Sequence, residues 1–295
     1  MNLQPWSYSS DHAPTVRGWH SIPSGKPVLH FLHGNGLCGR VYTPMLEQLS
    51  ADFDVWLCDI QGHGDSDSGT DFLGWNSNAE LAVQAFQAQR SIFADAPVYA
   101  CGHSLGGVLT TLIMAQHPQL FRAAVLLDPV IFTPPIQAYL RVAQRLGFAR
   151  FHSLARRTLV RRSQWPDRAA AYASLTGRGA FKGWTAPALQ AYVDFGLRPA
   201  DEEGVTLKCP AWLEATIFSS APQRLWAAVR QIQQPVLFLH GEHSYSFVGK
   251  SARLCMQRTP HIIAEQVGGG HCFMQQYPHS SAQRVRAFLL PALTD

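Results

Sequence analysis

"CGHSLGG", residues 101–107, follows the short apolar run "PVYA" and leads into "VLTTLIMAQH", which reads as a helix. Gly102-His103-Ser104-Leu105-Gly106 therefore fits G-x-S-x-G, with a strand before it and a helix after it. That context gives the motif its meaning. Ser104 must sit on a tight strand-to-helix turn with strained dihedrals. Gly102 and Gly106 remove side chains where the two arms of the turn cross closely. Such a turn raises the hydroxyl above the sheet and aims the free N–H groups of a helix start at any developing oxyanion.

Outward from this turn, short apolar runs recur at 28–32 (VLHFL), 55–60 (VWLCDI), 97–102 (PVYACG), 123–128 (AAVLLD), 235–240 (PVLFLH) and 261–267 (HIIAEQV). They read as buried strands. Helical patterns lie between them at 42–51, 77–94, 105–117, 250–258 and 279–290. Alternating strand and helix predicts a mostly parallel sheet with helices on both faces. "TVRGWHSI" (15–22) is expected to add an antiparallel strand at one edge.

Residues 132–230 break the alternation, with helical patterns such as "IQAYLRVAQRLGF" and "APALQAYVDFGL" and few strand signals. This stretch is expected to be a helical cap, 132–230, over a core made of 1–131 and 231–295. Between 141 and 182 it carries nine arginines and Lys182 against a single acid, Asp167. That is either a solvated face or a surface that attracts an anionic substrate or partner.

Composition bounds the remaining classes. The chain has 295 residues, 15% of them charged, and a net charge of +4, too modest to point to nucleic acid. No apolar run approaches a membrane span, since "AAVLLDPVIF" is short and holds Asp128. The N-terminus does not read as a signal peptide. The six cysteines form no C-x-x-C pair and read as reduced, buried thiols. No two histidines stand at H-x-x-x-H spacing, so no metal is expected. A cytoplasmic location follows from these features.

With "HGNG" at 33–36, "DIQGHGDS" at 59–66, "GHSLGG" at 102–107 and "GGGHCF" at 268–273 in this order, the chain resembles the α/β-hydrolase superfamily over residues 15–131 and 231–295. The resemblance implies an α/β-hydrolase fold: an eight-stranded sheet with a cap inserted after strand six. It implies that the backbone N–H groups of Asn35 and Leu105 form an oxyanion hole. "DIQGHGDS" is read as structural, with Asp59 bonding local backbone, and Asp59, His63 and Asp65 are not assigned to catalysis. His271, after the glycines 268–270 and the last strand, is the expected base. Its imidazole can take the Ser104 proton and return it to a leaving group. His103 is expected to pack and hydrogen-bond within the turn.

The acid is less direct. The resemblance places it most often after strand seven, as Gly-x-x-Asp, but here the stretch reads Gly241-Glu242-His243-Ser244. Serine cannot balance an imidazolium. The second place known in the family is the end of strand six, where "VLLDPV" offers Asp128. Asp128 is the preferred acid, Glu242 the alternative, and another or absent acid stays open. The implied function is a serine hydrolase that cleaves a carboxylic ester or related acyl bond without cofactor or metal. Thioester hydrolysis, C–C bond hydrolysis, perhydrolysis and non-catalytic ligand binding are the rivals. The substrate is expected to be a small molecule with an apolar acyl group. Cap aromatics such as Phe132, Tyr139, Phe148, Phe151, Trp184 and Phe218 could line its pocket.

Overall fold

The structure is a computed structural model that describes residues 1–146 and 153–290. Its main sheet has eight strands: β1 (Leu3–Ser10), β2 (Ala13–Ser21), β3 (Val28–Leu32), β4 (Asp54–Asp59), β5 (Val98–His103), β6 (Ala124–Leu127), β10 (Val236–His243) and β11 (Ile262–Gly270). Between β6 and β10 lie β7 (Gln164–Trp165), β8 (Leu197–Pro199) and β9 (Val205–Leu207) of a second sheet. The main order is β1-β2-β4-β3-β5-β6-β10-β11. β1 pairs antiparallel with β2, and β2 with β4, while every other pair is parallel.

Parallel strands need both faces covered, and their sequences show it. Along β3 to β6 every residue is buried. Alternate side chains divide between two cores. Leu32, Trp56, Ala100, Leu126 and Phe238 join one, and Phe31, Leu57, Cys101, Leu127 and Leu239 the other. Helices α2 (Trp75–Gln89) and α3 (Leu105–Gln116) cover the first face. Helices α1 (Thr43–Leu49) and α12 (Pro278–Leu289) cover the second. α10 (Val248–Arg258) and α11 (Phe273–Gln276) complete the helices outside the insertion.

The insertion carries α4 (Pro134–Arg145), α5 (Ser153–Val160), α6 (Arg168–Leu175), α7 (Ala186–Phe195), α8 (Ala211–Phe218) and α9 (Leu225–Gln231). Its three short strands form an antiparallel sheet in the order β7-β9-β8. Runs of two or three residues cannot display a period of two, so the sequence does not announce them. Phe148 and Phe151, singled out in the sequence, and Arg150, one of the nine arginines, lie outside the described residues. Strand β1 also goes beyond the sequence reading. It is an edge strand whose residues are exposed or half-buried, apart from Trp6, which is buried and stacks on Trp56 with ring centroids 4.7 Å apart. Among the described residues no helix is long and apolar enough to cross a membrane. All six cysteines are buried and unpaired.

Strand order reverses at β3. From there the chain passes outward to β4 and then crosses to β5 on the other side. In open α/β sheets this switch opens a crevice at the carboxyl ends of the strands. The loops after β3 and β5, with Asn35 and Ser104, flank it.

Candidate active site

Ser104 caps β5 and starts α3 with φ 54° and ψ −110°. For a residue other than glycine this backbone costs about 1–3 kcal/mol. The surroundings enforce it. Ser104 N–H donates to Leu127 O at 3.0 Å and Gly106 N–H to His33 O at 3.0 Å. A Cβ on Gly106 would stand 2.1 Å from Leu32 O, and one on Gly102 2.5 Å from Gly106 O. Both glycines are therefore required by backbone crossing, as the motif implies.

Three sequence-selected side chains meet at this point. His271, at the end of β11, places Nε2 2.9 Å from Ser104 Oγ and Nδ1 2.6 Å from Asp128 Oδ2. A carboxylate only accepts, so Nδ1 carries the proton and Nε2 is free to accept from the hydroxyl. Asp128 is fully buried and has φ 46°. Its Oδ1 accepts from Gly241 N–H at 2.7 Å, and its Oδ2 also accepts from Ser244 Oγ–H. Glu242 is not brought to the site. It is exposed on β10, and its carboxylate makes no hydrogen bond or ion pair among the described residues.

The two amides named in the sequence are those left over. After β3, Gly34 N–H donates to Tyr42 Oη at 3.0 Å, Gly36 N–H to His63 Nε2 at 2.9 Å, and Leu37 N–H to Gly34 O at 3.1 Å. Asn35 N–H, between them, has no acceptor among the described residues. At the elbow Ser104 N–H and Gly106 N–H are taken, and Leu105 N–H is not. Asn35 and Leu105 both line the cavity that Ser104 opens into.

The supporting residues are buried histidines and one carboxyl. His33 Nε2 accepts from Ile60 N–H at 2.9 Å and its Nδ1–H donates to Gly34 O at 2.8 Å. Desolvation holds His33 well below the usual imidazole range and takes His63 down to about 4. Asp59 accepts from Gly39 N–H at 2.8 Å and Asp65 N–H at 3.2 Å, and burial pushes it up to about 6. His103 does more than pack. Tyr42 Oη–H donates to His103 Nδ1 at 2.6 Å, and His103 Nε2–H donates to His271 O at 3.0 Å. Desolvation, with His271 nearby, also holds His103 low and hence neutral. Gly34, Tyr42, His103 and His271 form one chain of hydrogen bonds from the loop after β3 to the loop after β11. Nothing local in the sequence marks Tyr42, a tyrosine in a short helix, as part of the site.

The cavity has two arms. The larger, about 330 Å³, is walled mainly by hydrocarbon, including Trp75, Phe132, Ile136, Leu140, Phe218 and Phe247. Phe132, Tyr139 and Phe218 reach it from the aromatics expected there, while Trp184 lines the smaller arm. The smaller, about 110 Å³, also touches Ser104 and His271 but brings Arg161, Trp184, Tyr192 and Glu214. Burial raises the Glu214 carboxyl, and the paired Arg161 opposes that rise. Two larger surface grooves, about 560 and 940 Å³, hold none of Ser104, His271 and Asp128.

Comparison with known proteins gives the same frame. The chain is 37% identical over 103 residues to a pimeloyl-[acyl-carrier protein] methyl ester esterase from Edwardsiella ictaluri, covering 34% of this chain and 36% of that protein. It is 32% identical over 128 residues to the monoglyceride lipase of Mus musculus, 41% of each chain. The chain thus spans well under half the length of these curated relatives. The crystal structure of E-2-(acetamidomethylene)succinate hydrolase superposes with a TM-score of 0.78 at 23% identity, covering 98% of this chain and 99% of that one, a likeness of fold. A family model described as the alpha/beta hydrolase family matches residues 31–285, and the chain belongs to that family.

Proposed function

We propose that the protein is a serine hydrolase that cleaves a carboxylic ester or a related acyl bond. One observation carries the reading: the unbroken contact Ser104–His271–Asp128, at 2.9 and 2.6 Å, beside two uncommitted amides. Ser104 Oγ attacks the scissile carbonyl carbon while His271 Nε2 takes its proton. Asp128 holds the imidazole in the required tautomer and stabilises the imidazolium. The carbonyl oxygen becomes an oxyanion on the Asn35 and Leu105 N–H groups. Losing one such donor typically costs about 3–4 kcal/mol of barrier. His271 then protonates the leaving group, and the acyl-enzyme is opened by water that His271 deprotonates in turn.

The ester bond is favoured by the partial likeness to an esterase and a lipase. In this reading residues 132–230 act as the cap, and their apolar side chains receive the hydrocarbon part of a small-molecule substrate. Six buried, unpaired thiols suit a reducing cytoplasm. Labelling with a fluorophosphonate tests the proposal. The folded protein should label at Ser104 and cleave a short p-nitrophenyl ester, and Ser104→Ala should do neither. A folded wild-type protein that neither labels nor cleaves the ester would leave a non-catalytic ligand-binding member of the fold.

A further inference from the structure

The mechanism above uses the floor of the cavity and its hydrocarbon arm, but it leaves the small arm without a task. That arm is built from separated parts of the chain. Arg161 follows α5, Trp184 precedes α7, and Glu214 lies on α8. Arg161 Nη2–H donates to Glu214 Oε2, and the Glu214 side chain is 5% exposed. This pair fixes one edge of the guanidinium. Its Nε–H is buried without a partner, and its Nη1 makes no hydrogen bond among the described residues. Trp184 Nε1–H is likewise buried with no oxygen or nitrogen acceptor. The sulfur of Cys272 nearby is a weak acceptor.

One buried donor, Arg161 Nε–H, thus lacks an acceptor beside the small cavity that also contains the nucleophile, and Trp184 Nε1–H has only the weak sulfur acceptor of Cys272. Buried donors are normally matched. The missing counterpart is a group that accepts and does not donate. A carboxylate fits, because it offers two acceptor oxygens and suits the planar fork of a guanidinium. The charge of the sequence agrees. Residues 141–182 hold nine arginines and Lys182 against Asp167 alone, an excess that favours an anionic substrate. Glu214, the carboxylate already present, is met by Arg161 and orients it.

We infer that the small arm is a carboxylate subsite: the substrate is an acyl compound with a second, free carboxylate a few bonds from the scissile carbonyl, held by Arg161 and Trp184, with its apolar part in the large arm. This rests on the serine-hydrolase reading and names its substrate class. The distance is short because Arg161 and Ser104 line the same cavity of about 110 Å³.

Matched esters test it. Methyl hydrogen succinate and methyl succinamate have nearly the same shape and differ in charge, and the glutarate and adipate pairs extend the series. At one chain length or more, wild-type kcat/KM should favour the anionic ester at least tenfold. Arg161→Gln should cut that preference at least tenfold, and Trp184→Phe should cut it less. If no anionic ester outpaces its amide, or if Arg161→Gln lowers both esters equally, Arg161 is only a latch onto α8 and the inference is overturned. Should Arg161→Gln fail to fold, protection of wild-type Ser104 from fluorophosphonate decides. The dicarboxylates should protect at least tenfold better than their diamides, and equal protection overturns the inference. Wild-type protein that labels at Ser104 yet shows no preference for anions overturns the subsite alone. Protein that never labels overturns the hydrolase reading and the subsite with it.

Discussion

Ser244 stands where an aspartate is more usual, and its hydroxyl donates to Asp128 from the neighbouring strand. In the proposed mechanism the loop after β10 contributes a hydrogen-bond donor, not a charge, to the acid that follows β6. Asp128→Asn should lower kcat about 10⁴-fold while the circular dichroism spectrum is unchanged, because an amide no longer enforces the productive tautomer. Glu242→Gln should stay within about threefold of wild type, since an exposed group with no partner does little for the site. If Glu242→Gln is the crippling change, the acid has been misassigned. The same contact supports a rescue. In Asp128→Asn/Ser244→Asp a carboxylate returns from β10, and kcat should recover at least tenfold over Asp128→Asn, about 1.4 kcal/mol of barrier. No recovery in a folded double variant would mean that a carboxylate at 244 cannot reach His271.

At the level of elements, the Ser104 turn is a crossing of β5, α3 and the loop after β3. Gly106 is the contact point, and its missing Cβ leaves room for backbone atoms that cannot retreat. Gly106→Ala should therefore destabilise the protein by about 3 kcal/mol or more, read as the urea midpoint, even though alanine favours helix elsewhere. An unchanged midpoint would mean that the crossing is looser than 2.1 Å implies. The Tyr42–His103 chain shows why the sequence could name His271 but not what holds its backbone. Those partners are brought together by elements far apart in the chain.

Across the whole molecule, buried histidines set the response to acid. His30 is buried among Trp56, Phe86 and Phe121 with neither ring nitrogen bonded, and desolvation lowers it from 6.5 to about 3. His33, His63 and His103 are also held low by burial. Each is neutral when folded and binds a proton when unfolded. Their contribution is thus fully present above pH 6.5 and is lost as pH falls below it, down to about 4 for His63 and about 3 for His30. Each group removes up to about 1.4 kcal/mol per pH unit. Asp59, raised to about 6, acts in the opposite sense between 6 and 3.8 and offsets about one histidine. Chemical denaturation between pH 7 and 4 should show a steep loss of stability. His30→Phe, which keeps the ring stack, should make that slope shallower by about one group. A slope unchanged by His30→Phe would mean that His30 protonates in the folded state.

The core alternation, the serine turn and the order of serine, candidate acid and histidine were legible along the chain. Each follows from local rules: period two, period 3.6, glycine where backbones cross, and a motif between strand and helix. Strand β1, with one buried side chain, and the short strands of the insertion carry too little pattern to be read. The sequence left the acid open between Asp128 and Glu242. Tertiary structure decides which of them meets the imidazole, because β6 and β10 are adjacent and Asp128 turns inward at a positive φ while Glu242 faces solvent. It also decides that Ser244, Tyr42, His103 and Arg161 surround the site. Distance in space is fixed by strand order and packing, and no spacing along the chain encodes it.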